Sequence, residues 1–170
     1  MNSAFGKIIV SSLLPVGIFI LVAAGVYVVL PVQEVPLSAT ERALATLIEL
    51  RWPVLVLLAM VITLFRGFDT PQAADPLAGG ESGRHRINQR VLQNSLEQFV
   101  LFVPVVLALA ALAQDGIVWH GVRTAVLVFT LGRLLFWVGY HRSPPGRAPG
   151  FVMTFFTNLV VLGAVFWLAF

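Results

Sequence analysis

Apolar residues along the chain gather into five long runs separated by short polar stretches. The runs cover residues 7–30, 43–65, 91–113, 118–140 and 151–170. Each is close to the roughly 20 residues that an α-helix needs to cross the hydrocarbon core of a bilayer. We therefore predict an all-α integral membrane protein with five transmembrane helices, which form one domain over residues 1–170.

The first apolar run and the longest connection between runs each add a detail to this prediction. The first run is longer than the apolar core of a signal peptide, so we interpret it as a retained helix. The longest connection, about 66–90, is rich in Gly, Pro, Asp and Arg, which predicts a flexible loop whose end is helical from about Arg84.

The composition agrees with a membrane protein. Hydrophobic residues make up 58% of the 170 residues and charged residues only 11%, whereas a soluble domain carries roughly 25% charged residues. The absence of cysteine excludes disulfides, thiolate metal sites and cysteine nucleophiles. The three histidines are too far apart in sequence to indicate a metal site. The net charge is +3, but no basic run lies outside the membrane flanks, which argues against a nucleic-acid partner.

The distribution of Lys and Arg predicts an orientation. With a cytoplasmic N-terminus, most of the basic residues fall on the cytoplasmic side, and the far side has three arginines offset by acids. This favours N-in and C-out, as an odd number of spans requires, and we favour a bacterial inner membrane over an endomembrane. The cytoplasmic set is Lys7, Arg66, Arg84, Arg86, Arg90, Arg142 and Arg147, and the far set is Arg42, Arg51 and Arg123.

Ionisable residues inside two of the apolar runs are the main chemical signal. Arg90, Asn94 and Glu97 are four and three residues apart, so they share one face of a helix. A charged residue at the centre of a membrane helix costs about 2.5–3.5 kcal/mol even on the low, insertion-based scale. We therefore expect these groups to face a hydrated pocket.

The next run carries a second polar set. Arg133 and Tyr140 are two turns apart on one helix face, and Arg147 follows in a proline-rich turn. Glu97 and Arg133 each lie seven residues from the cytoplasmic ends of their predicted helices, at matching depth. They could therefore pair with each other, or both could engage a bound ligand. Arginine suits carboxylate recognition because its guanidinium is planar, bidentate and permanently charged.

The two spacings together resemble the signatures of the MAPEG family, the membrane-associated proteins in eicosanoid and glutathione metabolism. They are R-x3-N-x2-E followed by R-x6-GY-x6-R on consecutive spans, and the resemblance covers Val54 to Phe170. It implies a four-helix bundle over residues 43–170, assembly as a homotrimer, and glutathione bound between subunits near the cytoplasmic face. Residues 1–36 would then be an extra N-terminal helix, which resembles the five-span, mattrin-like branch.

The resemblance also implies roles for single residues. Arg147 matches the arginine that lies near the glutathione sulfur in the leukotriene-forming member, so it is the candidate catalytic residue. Arg66 matches, loosely, an arginine supplied by the neighbouring subunit. The remaining positions match glutathione contacts on the second and third helices of the family: Arg90, Asn94, Glu97, Arg133 and Tyr140.

Two functions remain open at this point. A working glutathione pocket predicts a transferase or peroxidase that acts on lipophilic electrophiles. Gln98 and Phe136, however, stand where glutathione users have polar rings, and the extra helix departs from the four-span pattern. These differences favour a non-catalytic, mattrin-like module that binds lipid or a partner protein. An ion or solute pathway is a weaker third option, and Asn94 read alone would be an interhelical hydrogen-bonding residue.

Overall fold

The structure is a bundle of helices. The computed structural model describes the backbone of residues 3–36, 38–65, 80–143 and 145–170, and the side chains of these residues except 3–12 and 65. Every regular element within these ranges is helical, as predicted. The elements are α1 (Ser3–Val29), α2 (Ala39–Glu49), α3 (Arg51–Phe65), α4 (Gly83–Leu112), α5 (Gly116–Arg142), a 3-10 turn (Pro145–Arg147) and α6 (Ala148–Ala169).

Four stretches are long and apolar enough to cross a membrane, which supports the predicted integral membrane bundle. They are Ala39–Leu64, Gly83–Leu112, Gly116–Arg142 and Pro145–Ala169. The first of these stretches joins α2 and α3. Helix α1 is apolar over Leu13–Val29, the part whose side chains are described. A fifth membrane crossing by α1 stays a prediction.

The second predicted helix is interrupted, and proline explains the interruption. The run 43–65 was expected to be one helix, but α2 ends at Glu49 and α3 begins at Arg51. Pro53 has no N–H with which to reach the carbonyl of Glu49, and its ring crowds that carbonyl. The backbone hydrogen bonds resume at once, because the Val54 N–H donates to the Leu50 carbonyl over 3.2 Å.

Helix α5 lies at the centre of the bundle and approaches α6 very closely. Its Phe129 ring stacks on Phe102 of α4, with ring centroids 4.2 Å apart. Glycines permit the contact with α6: a Cβ added at Gly150 would overlap the backbone of Phe136, and one at Gly139 would overlap the carbonyl of Gly146. Only glycine allows such an approach. These contacts position the turn between α5 and α6, which carries Arg147.

Helix α1 is attached to α5 and α6 at two heights. At the far end from the Tyr140 turn, the Arg123 guanidinium donates to the Pro31 carbonyl over 2.7 Å, and His120 Nε2 lies 2.7 Å from the Tyr27 carbonyl oxygen. About two turns earlier in α1, Phe19 packs on Phe156 of α6, with ring centroids 5.7 Å apart. A stretch of small residues in α1 lies between these two attachments.

Arg42 ties α2 to the end of α4. Its Nε and Nη2 donate to the carbonyls of Ala110 and Ala111 over 3.0 and 2.7 Å, and Nη1 donates to the Pro36 carbonyl over 3.0 Å. The last carbonyls of a helix have no intrahelical partner, so a buried arginine is well placed to satisfy them. Charge counting places Arg42 and Arg123 on the far face, and the structure shows that both are buried and bonded to carbonyls.

Candidate functional site

The polar face of α4 opens on a cavity near the start of the helix. Arg90, Asn94 and Glu97 all line it, as their spacing predicted. Arg90 is exposed and makes no hydrogen bond or ion pair with the described residues, so its guanidinium donors are available. The Glu97 carboxylate accepts one hydrogen bond, from Gln93 Nε2 over 3.2 Å.

The opposite wall comes from the end of α5 and the turn that follows it. Arg147 Nη1 donates to the Tyr140 hydroxyl over 3.0 Å, and the guanidinium carbon lies 5.0 Å from the centroid of the same ring. The close contact between Gly139 and Gly146 folds the turn back over α5. Arg147 is therefore held beside the cavity, where it lies on the tyrosine ring.

These residues form one polar cavity of about 760 Å³. That volume lies within the roughly 300–1,000 Å³ typical of small-molecule sites. Five of the seven residues singled out from the sequence line the polar cavity, and they bring two arginines and one glutamate to the same space. The full lining is Arg90, Gln93, Asn94, Glu97, Phe136, Tyr140, Pro145, Arg147, Ala148 and Phe151.

Arg133 lies behind the wall of the polar cavity. It has no exposed surface, and its Nη1 donates to Asn94 Oδ1 over 3.0 Å. Its Nη2 donates to the hydroxyl of Thr154 and to the carbonyl of Gly150. The guanidinium also lies 4.7 Å from the centroid of Phe136, which does line the cavity. Arg133 thus positions two residues of the cavity wall without lining the cavity itself.

Glu97 and Arg133 do not form the ion pair that their matching depth suggested. Helix α4 begins at Gly83, well before the start of the apolar run from which the depth of Glu97 was counted. Glu97 therefore lies deeper in its helix than that count predicted. Arg133 is level with Asn94, one turn earlier than Glu97. Its Nη2 bonds to Thr154 and the Gly150 carbonyl, on the side of α6.

The two departures from the family pattern differ in position. Gln98 faces α6, where its side-chain oxygen accepts a hydrogen bond from Asn158 Nδ2 over 3.0 Å, and it does not line the polar cavity. Phe136 does line that cavity. Of these two residues, only Phe136 therefore contributes to the cavity wall.

Some contributors were not found from the sequence. Thr154 holds Arg133, and Gln93 and Phe151 line the polar cavity, although none of the three carries a recognisable motif. The spacing of Thr154 and Asn158, one turn apart on an otherwise apolar helix, was the available signal. Arg66 lies outside the described residues, so its predicted contribution from a neighbouring subunit stays a prediction.

The family assignment follows from a family model that matches residues 41–167. The chain belongs to the MAPEG family. A search of the curated proteins and a search of the solved structures found no significant match. The MAPEG match begins in α2 and extends into α6, so it covers the bundle that holds the polar cavity and leaves α1 outside.

MAPEG membership agrees with the four helical stretches that are long and apolar enough to cross a membrane, and it identifies the chain as a membrane protein of the glutathione and eicosanoid metabolism family. The motif residues that suggested the family all fall within the matched range. The N-terminal helix α1 lies outside the matched range, and it is attached to α5 through His120 and Arg123.

Proposed function

We propose that this MAPEG protein binds glutathione in the polar cavity and uses it to conjugate or reduce lipophilic electrophiles. One observation carries the proposal: Arg90, Arg147 and Glu97 converge on a single cavity of about 760 Å³ at the end of the bundle. Asn94 and Tyr140 line the same space and add an amide and a hydroxyl.

The charges in the cavity suit glutathione, which carries two carboxylates and one ammonium group. Arg90 and Arg147 each offer a guanidinium, the group best able to hold a carboxylate by two parallel hydrogen bonds. Glu97 offers the complementary acceptor for the ammonium. Arg133, which is occupied by Asn94, Thr154 and Gly150, would support this arrangement from behind.

The residues can also favour the reactive form of the thiol. A guanidinium beside a thiol stabilises the thiolate and so lowers the pKa of the thiol. Arg147, which lies on the Tyr140 ring at the cavity wall, is the group proposed for this role. The thiol proton passes to water, the sulfur then bonds to an electrophilic carbon, and the leaving group takes the electrons of the broken bond. With a lipid hydroperoxide the sulfur attacks the terminal peroxide oxygen, the O–O bond breaks, and the alkoxide leaves with its electrons and takes a proton to become the alcohol. A second glutathione thiol then attacks the oxidised sulfur, which releases water and forms glutathione disulfide.

Calorimetric titration of the detergent-purified protein with glutathione tests the proposal. We expect saturable binding that weakens about tenfold or more in Arg90→Ala, because a hydrogen bond to a charged group contributes about 1.5–3 kcal/mol. Arg142→Ala is the matched control, since Arg142 is also an exposed arginine at this end of the bundle but does not line the polar cavity. The absence of both heat and thermal stabilisation at millimolar glutathione would rule the function out.

A non-catalytic, mattrin-like module is the second candidate, and Phe136 favours it. An apolar ring lines the cavity at the position where glutathione users carry a polar ring. A rate assay with a lipophilic aryl halide separates the two functions. Catalysis predicts glutathione conjugation that falls about tenfold or more in Arg147→Ala, where the lost charge raises the thiol pKa. Glutathione binding with no measurable conjugation would identify the module.

We also propose a homotrimer in which α1 is a fifth span and the polar cavity lies at the cytoplasmic face of a bacterial inner membrane. The position of Glu97 supports the oligomer. It lies near the middle of α4 and is exposed in the single chain, where contact with lipid would cost about 2.5–3.5 kcal/mol or more. A neighbouring subunit over this face of α4 would cover the carboxylate.

A further inference from the structure

A second large cavity lies at the other end of the bundle, between α1, α5 and α6. Its volume is about 660 Å³, and we name it the apolar cavity. Small residues create the space: a Cβ added at Gly121 would meet no atom within 4 Å. The walls include Phe19 and Ala23 of α1, Gly121 and Ala125 of α5, and Val161 and Ala164 of α6.

The depth of the apolar cavity matches one leaflet of a bilayer. On α5 its lining extends from Val118 to Val128, ten residues apart, which corresponds to about 15 Å along the helix. Half of a hydrocarbon core of roughly 30 Å is also about 15 Å, the depth that one acyl chain occupies. A cavity of this shape beside the bilayer therefore accommodates a hydrocarbon chain in its ordinary orientation.

The polar groups in the lining are mostly occupied. The Thr124 hydroxyl donates to the His120 carbonyl over 2.9 Å, and the Thr157 hydroxyl donates to the Met153 carbonyl over 2.7 Å. Both bonds stay within one helix, so neither threonine requires a polar ligand. The interior of the cavity therefore presents hydrocarbon to its occupant, and selectivity must come from the end that meets the headgroups.

The charged side chain that lines the cavity at that end is the carboxylate of Asp115. Asp115, which precedes α5, is exposed and lines the cavity, and its carboxylate Oδ1 already caps the helix by accepting from the N–H groups of Ile117 and Val118. Glu34, which is exposed, follows α1 on the same side. Arg123 is buried there and bonded to a carbonyl oxygen. An anionic headgroup would be repelled, whereas an ammonium group would be attracted.

We propose that the apolar cavity is a binding site for one phospholipid whose headgroup bears an ammonium, with an acyl chain between α1 and the MAPEG bundle and the ammonium at Asp115. The site is independent of the polar cavity and of glutathione. The apolar cavity exists because α1 forms its third wall, beside α5 and α6. Helix α1 lies outside the range that the family model matches.

Native mass spectrometry of the full chain released from vesicles of equal parts phosphatidylethanolamine and phosphatidylglycerol tests the proposal. We expect one retained phosphatidylethanolamine per chain. Gly121→Leu places a branched side chain inside the cavity and should reduce retention about tenfold, the effect of displacing about two methylene groups. Gly163→Leu is the matched control, because Gly163 is exposed on α6 and outside the lining. Equal retention in the two variants would overturn the proposal.

A second variant tests the headgroup separately. Asp115→Asn removes the charge and keeps a residue that caps helices as well as aspartate does. The ratio of retained phosphatidylethanolamine to phosphatidylglycerol should fall toward that of the vesicle, while the total lipid retained stays the same. A wild-type ratio equal to that of the vesicle, or a ratio unchanged in Asp115→Asn, would show that Asp115 does not select the headgroup and would contradict the proposal.

Discussion

At the scale of single residues, the arginines of this chain divide by burial into two kinds. Arg133, Arg42 and Arg123 are buried, and each donates to oxygens of neighbouring elements. Arg90 and Arg147 are exposed and line the polar cavity. The buried ones hold helices together, and the exposed ones line the polar cavity, where we propose that a ligand binds. The two kinds cannot be told apart from the sequence, because the spacing of residues shows which of them share a helix face but not which residues of other helices they contact.

Arg133→Met tests this division at a buried position. The change removes the hydrogen bonds that the guanidinium donates to Asn94 Oδ1 and to the Thr154 hydroxyl, and a hydrogen bond from a charged group contributes about 1.5–3 kcal/mol. We expect a lower thermal midpoint in detergent, equivalent to about 3 kcal/mol or more. Arg90→Met, the same chemical change at an exposed position, should stay within about 0.5 kcal/mol of the wild type. An equal loss of thermal stability in the two variants would contradict a structural role specific to Arg133.

At the scale of elements, the contact between α5 and α6 determines where the cavity lies. The glycines at 132, 139, 146 and 150 bring the two backbones together, and the turn between them then places Arg147 on Tyr140. The glycine in the sequence pair Gly139–Tyr140 is therefore part of the packing, while the tyrosine is part of the cavity wall. A motif of this kind therefore includes one residue for a helix contact and one for the cavity wall.

Gly139→Ala tests the element scale. The added methyl group would overlap the Gly146 carbonyl, which belongs to the backbone and cannot move aside as a side chain can. Overpacking of this kind costs about 1–3 kcal/mol, and displacement of the turn should also weaken glutathione binding. Gly163→Ala has open space around it and should be neutral or stabilising by up to about 1 kcal/mol. Thermal unfolding and calorimetry of both variants provide the comparison, and a neutral Gly139→Ala would contradict the packing argument.

At the scale of the whole molecule, the single chain leaves one face of α4 open. Glu97, Val100 and Leu101 are exposed along it, and the residues nearer the helix start line the polar cavity. The proposed homotrimer would cover this face and place a second chain beside the polar cavity. Helices α1 and α6 present apolar exposed residues that suit contact with lipid.

Leu101→Trp tests the assembly. Leu101 is 58% exposed in the single chain, and a larger ring there would clash with a partner packed on α4. We expect light scattering to give three copies for the wild type and smaller species for the variant. Leu159→Trp is the control, because Leu159 is 52% exposed on α6, where lipid accommodates the ring. A wild type that runs as a single copy, or a Leu101→Trp variant that keeps the wild-type mass, would argue against this interface.

The sequence by itself determined the helical membrane class, the approximate positions of the four long spans and the shared face of Arg90, Asn94 and Glu97. These properties depend on local spacing and on the requirement that every backbone polar group in lipid be satisfied within a helix. The break before α3 was also readable in principle, because Pro53 removes one backbone donor.

Only the tertiary structure decided which polar side chains meet. Arg133 binds Asn94 and Thr154 instead of Glu97, Gln98 pairs with Asn158 away from the polar cavity, and α1 encloses a second cavity against α5 and α6. The relative rotation and depth of two helices follow from where each begins and from how closely their backbones approach. Both depend on contacts between residues distant in sequence, such as Gly150 against Phe136, which no local pattern records.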